Sequence, residues 1–137
     1  IDQHIPELGT TIGDELLKNH KSYVKTVLDL QNQCKIKGIA HITGGGLPDN
    51  LIRILPKNCQ AIIRKDSWRI PPIFPFLQVK GDVCQKEMFH VFNMGIGLVI
   101  VMSRDDADTA MAFLEDVGET PFLIGEIVSG KHGIEII

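Results

Sequence analysis

An apolar, β-prone run from Ile36 to Ile42 ends in a hydroxyl and three consecutive glycines, Thr43-Gly44-Gly45-Gly46, and a helix signal follows at Leu47-Pro48. This junction constrains the fold more than any other stretch of the chain. Glycine serves where the backbone must turn sharply or approach something closely. A strand that opens through bare glycines into a helix start presents backbone N–H groups outward, a common way to hold a phosphate. Two readings stay open on these residues alone: a phosphate cradle, or a corner that the chain merely has to turn. The helix signal itself is compact. Leu47, Leu51, Ile54 and Leu55 form one apolar stripe, Pro48 suits a first turn that needs no N–H there, and Pro56 ends the run.

At 137 residues the chain is read as a single domain, 1–137, with enough length to bury about two-thirds of its unfolded surface. A net charge of -3 argues against a broad electrostatic footprint for nucleic acid or an acidic membrane surface. A small anionic ligand stays allowed, because local donors decide that. No apolar run approaches the ~20 residues of a membrane span, and no signal-peptide pattern opens the chain. Cys34, Cys59 and Cys84 are odd in number and lie in no metal-binding pattern, which favours a reducing, cytoplasmic setting. The first residue is Ile1 rather than Met, so the chain is expected to be a cut or processed piece.

Periodicity and punctuation give the remaining elements. Residues 1–13 read as an irregular lead-in broken by Pro6, Gly9 and Gly13. A helix is expected over Ser22–Gln33, then a strand in which Gly38 marks a bulge or close approach. Cys59–Ile63 reads as a short buried strand, and Pro71-Pro72 as the entry to a helix that packs Phe74, Phe76 and Leu77 inward. A proline-rich peptide ligand is the competing reading there. Gln85–Phe92 reads as helix and Gly97–Met102 as strand. Ser103 with Asp106 resembles a cap for a helix that Gly118 ends, and Phe122–Val128 with Gly133–Ile137 reads as a closing hairpin. The mixture defines an α+β fold, with a mixed sheet packed against helices.

A second unusual stretch, Val91-Phe92-Asn93-Met94-Gly95-Ile96-Gly97, places an amide and two glycines between a helix and a strand. Asn93 offers hydrogen bonds to a ligand, and Gly95 and Gly97 permit close approach; an Asn-capped turn is the structural alternative. Together the two junctions point to the lining of one cleft. By alternation His41 faces away from Ala40 and Ile42, which makes it a candidate general acid or base, or a phosphate partner, against the alternative of a structural histidine. His4, His20, His90 and His132 lack a partner pattern and read as surface residues. Asp105, Asp106 and Asp108 look like a Mg²⁺ cluster, yet they fall in the first turns of a helix whose dipole they complement.

The ordered series Ala40–Leu47 with Pro48, Asn50 and Leu51, then Trp68, Pro71–Phe74, Leu77, Glu87-Met88, Phe92–Gly97 and Ile124-Gly125-Glu126 resembles one family. It is similar to the C-terminal domain of the phosphoribosylformylglycinamidine cyclo-ligases, also called aminoimidazole ribonucleotide synthetases, from about Leu16 onward. Family members often carry Pro-Thr at Asn19-His20 and Thr at Val91, so the resemblance assigns no role to those positions. The resemblance implies ring closure of formylglycinamidine ribonucleotide to aminoimidazole ribonucleotide in purine synthesis. It implies ATP and Mg²⁺ as cofactors, bound mainly by an N-terminal domain absent here, and a homodimer built by that domain. It implies a small-molecule nucleotide substrate for Thr43, Gly44, Gly45, Gly46, Asn93, Gly95 and Gly97. The phosphate at the glycine loop would be the substrate's 5′-phosphate or one transferred from ATP. Another ATP-dependent enzyme of the superfamily, or a free-standing phosphate-binding module, remains the alternative.

Overall fold

The structure is a computed structural model that describes residues 1–137. The lead-in is more ordered than its sequence promises. His4–Ile5 (β1) and Thr10–Thr11 (β2) pair antiparallel, and Ile12–Leu16 forms helix α1. Thr11 caps α1, its hydroxyl accepting from the Asp14 N–H at 3.0 Å, a local side-chain bond that a period count does not register.

Helix α2 spans Val24–Gln31 and leads to strand β3, Ile36–His41. Beyond the glycines come α3, Gly46–Leu51, and a 3-10 turn, Ile52–Ile54. Strand β4, Cys59–Ile63, falls where its apolar run predicts. Helices α4, Ile73–Gly81, and α5, Gln85–Val91, precede strand β5, Leu98–Met102. Helix α6, Arg104–Asp116, and strands β6, Gly125–Ser129, and β7, Gly133–Ile136, complete the chain. Pro72 occupies the cap of α4, so the proline-rich stretch is a helix entry and not an extended ligand.

One finding corrects the expected topology. The two closing strands do not pair with each other; β6 and β7 flank β4 in the order β6-β4-β7, antiparallel and parallel respectively. The apolar β4 needs a partner on each edge, and inserting it between the last two strands satisfies both. Ser103 occupies the cap of α6, but its hydroxyl bonds the Asp106 carboxylate at 2.5 Å rather than a backbone N–H.

β3 pairs antiparallel with β5, and a register shift between Ile36 and Gly38 marks the bulge expected at the glycine. That slip has a consequence for packing. Residues an even number apart share a face of a regular strand, yet Ile36 packs against α2 and α6 while Ala40 enters the main core. One extra residue exchanges the faces. The main core joins Ala40, Ile42, Leu47, Leu51, Ala61, Ile63, Met88, Phe89 and Val99, and a smaller one gathers Leu30, Cys34 and Ala110. β5 is therefore covered on both faces, which explains its unbroken apolar run.

Candidate functional site

His41 ends β3 opposite Leu98, and the Ile42 N–H donates to the Gly97 carbonyl at 2.9 Å. The ladder thus sets the two glycine junctions side by side at one end of the β3–β5 ribbon. The individual glycines serve different purposes. At Gly44 a Cβ would meet nothing within 4 Å. Gly45 has φ +92, and a Cβ there would lie 2.7 Å from Cβ of Asp49. Gly46 is buried, and a Cβ would lie 2.0 Å from the Phe89 carbonyl oxygen, so this glycine is what lets α3 pack onto α5.

Asn50 organises the loop from beneath. It is the one buried polar side chain, and its Nδ2 donates to the carbonyls of Thr43 (3.3 Å), Gly44 (3.2 Å) and Gly46 (2.8 Å). With those carbonyls turned inward, the N–H groups of Thr43, Gly44 and Gly45 have no acceptor within the protein. Gly46 N–H is spent on the Thr43 carbonyl at 3.0 Å. Helix α3 is only six residues long, so the outward donors are those of the loop itself. The Asp49 carboxylate shields the Gly45 side and lies 3.9 Å from Nε2 of His90, which leaves the exposed Thr43–Gly44 side open.

The second junction is a pinned turn. Met94 (φ 52) and Gly95 (φ 96) both take left-handed backbone. Oδ1 of Asn93 accepts from the Gly95 N–H at 2.9 Å, the turn geometry Asn favours. Buried Trp68 donates from Nε1 to the Met94 carbonyl at 2.9 Å, and Pro71 occupies the space a Cβ on Gly95 would need. A Cβ on Gly97 would meet the Tyr23 hydroxyl. A cleft of about 1000 Å³ opens beside this turn, lined by residues 95–104 on one side and 118–127 on the other. β5 pairs only with β3 and β6 only with β4, so each presents an unpaired edge. Gly95, Gly97 and Tyr23 line the cleft; Thr43, Gly44, Gly45 and Gly46 do not. Burial pushes the Tyr23 phenol above its ordinary value, opposed by Lys21 and reinforced by Glu119.

His41 is exposed between buried Ala40 and Ile42, as alternation requires. Its Nε2 lies 3.4 Å from Nε2 of His20, and the rings meet edge to face. His20 is thus a surface residue with a partner, which its sequence context did not indicate. Nothing in the spacing of His20 and His41 predicts the pairing, since His20 sits on an irregular segment. Asn50 was foreseeable only as part of the ordered series, and Tyr23, which the structure places at the cap of α2, only as a residue of the helix expected over Ser22–Gln33. Asp105, Asp106 and Asp108 lie in the first two turns of α6, with Asp106 bound to Ser103. No group of three or more His, Cys, Asp or Glu residues converges, so the chain assembles no acidic cluster fitted to Mg²⁺.

The α+β scaffold with paired glycine junctions defines a class: the chain belongs to the AIR synthase related protein family, as its C-terminal domain, with residues 2–137 matched. Among curated relatives, the phosphoribosylformylglycinamidine cyclo-ligase of Alkaliphilus oremlandii is 48% identical, over 98% of this chain and 39% of its own length. The cyclo-ligases of Syntrophotalea carbinolica (49%, over 96% of this chain and 37% of the relative) and Pseudothermotoga lettingae (47%, 99% and 40%) are similar. The chain spans about two-fifths of the length of these relatives. Among solved structures, E. coli HypE, a hydrogenase maturation protein, superposes with a TM-score of 0.64 at 21% identity. That match covers 85% of this chain and 36% of HypE, a likeness of fold.

Proposed function

We propose that this chain is the C-terminal part of an ATP-dependent cyclo-ligase, which closes the imidazole ring of aminoimidazole ribonucleotide from formylglycinamidine ribonucleotide. The observation that carries the reading is the loop whose carbonyls are gathered by Asn50 while the N–H groups of Thr43, Gly44 and Gly45 stay unpaired. Donors in that state suit a phosphate, and hydrogen bonds to a charged acceptor contribute about 1.5–3 kcal/mol each. The phosphate is held on the Thr43–Gly44 side, away from Asp49. The identities of 47–49% to named cyclo-ligases support the reaction class.

The chain's own residues bind and orient in this scheme. The loop anchors the phosphate, the Asn93 amide nitrogen is left to donate because its Oδ1 serves the turn, and His41 moves a proton at the strand end. ATP supplies the activation of the formamide oxygen. ATP and Mg²⁺ bind through the N-terminal part of the protein, which also forms the homodimer, and the reaction runs in the cytoplasm.

The test is Gly44→Asp in the complete protein. Gly44 has open space and an ordinary φ, so the variant keeps its fold while it places a carboxylate beside the donors. We expect KM for the ribonucleotide to rise at least tenfold, a loss of about 1.4 kcal/mol. Unchanged kinetics would remove the loop from the binding site.

A further inference from the structure

We propose that His20 and His41 form a two-histidine site for a borderline transition ion, Zn²⁺, Ni²⁺ or Cu²⁺, with water completing its coordination. Their Nε2 atoms are 3.4 Å apart, the ring centroids 5.0 Å, and the planes cross at 87°. Two imidazoles bound at about 2.0–2.1 Å to one tetrahedral ion hold their nitrogens about 3.3 Å and their centroids about 5 Å apart. The pair already has that separation.

The protonation pattern is also set for it. Nδ1 of His20 lies 2.8 Å from the Lys21 carbonyl, which only accepts, so Nδ1 carries the hydrogen and Nε2 carries a lone pair. An imidazole whose far N–H is held by a backbone carbonyl is the arrangement metal-ligating histidines adopt. In the ion-free pair the His41 Nε2–H donates to that lone pair. An ion held by both Nε2 atoms requires the other tautomer of His41, with its hydrogen on Nδ1.

Both ligands are supported. His41 is fixed by its register opposite Leu98, and His20 by edge-to-face contact with Tyr23 and by the adjacent Lys21–Glu119 ion pair. Both rings are exposed, so the ion and its waters have access. No third His, Cys, Asp or Glu joins them, and an imidazole pair without carboxylates selects Zn²⁺, Ni²⁺ or Cu²⁺ over Mg²⁺. The site is therefore distinct from the Mg²⁺ of the proposed reaction but shares its His41, so an ion bound here withdraws that imidazole from proton transfer.

Calorimetric titration of the 137-residue chain with ZnCl₂ and NiCl₂ tests this, in a Cys59→Ser/Cys84→Ser background that removes the two accessible thiols. One ion per chain should bind, and the side-chain ¹⁵N resonances of both His20 and His41 should shift on adding Zn²⁺. His20→Thr and His41→Ala should each weaken binding at least tenfold, while His132→Ala leaves it unchanged. No saturable binding up to millimolar ion would overturn the site. So would binding that persists in His20→Thr, or that leaves the His20 and His41 resonances unmoved.

Discussion

Asn50 decides how the glycine loop presents itself. One amide nitrogen with two hydrogens gathers three carbonyls, one hydrogen being shared between two of them, a task that neither a hydroxyl with its single hydrogen nor a carboxylate can perform. Asn50→Ala should lower stability by about 1–3 kcal/mol, read as a reduced urea midpoint, and should loosen the loop. An unchanged midpoint would show that solvent replaces the amide without cost. At this scale the sequence was informative where a residue's task is local. The exposure of His41 follows from alternation, and Gly38 marks a bulge. The glycine run, by contrast, looks uniform and is not. Gly44 faces open space, Gly45 meets a left-handed φ, and Gly46 admits a neighbouring helix. That distinction comes from α5 and Asp49 rather than from the run itself. His20 was illegible for the same reason, since its partner lies across a fold that no spacing encodes.

At the scale of elements, helices and strands with clear punctuation matched their expected positions. α6 ends as its glycine promises. Gly118 takes φ +83, its N–H donates to the Glu115 carbonyl at 3.0 Å, and the Glu119 N–H donates to Leu114 at 2.8 Å. This is the paired closure that a left-handed residue allows at a helix C-terminus. A Cβ at Gly118 meets no atom within 4 Å, so Gly118→Ala isolates the backbone effect. We expect a loss of about 1–2 kcal/mol, measured by urea unfolding with an unchanged slope. A neutral result would mean that residue 118 relaxes out of its left-handed state. The closing hairpin failed as a reading because adjacency in sequence says nothing of a third strand. β4 has a backbone ladder on each edge, and only the assembled sheet shows it lying between β6 and β7.

Over the whole molecule, the class of fold was legible from the mixture of periods, whereas the cleft was not. The cleft lies between two ribbons that never pair, and its two main walls are the segments on either side of α6, brought face to face only by the fold. The two junctions do meet, but only the second opens on that space. Because ATP and Mg²⁺ are proposed to bind through the part of the protein outside these two-fifths, the 137-residue chain supplied with ATP, Mg²⁺ and formylglycinamidine ribonucleotide should show no turnover; measurable product would overturn that assignment. The parallel pairing of β4 with β7 has one more consequence, for the order of events during synthesis. β4 is made early, and both its partners emerge only after three helices and another strand have been added. Until then its two edges lack their ladders, and an unpaired apolar strand is a template for other chains. The nascent protein therefore carries an adhesive strand until its last two strands emerge, and that interval is where this topology is most open to misassembly.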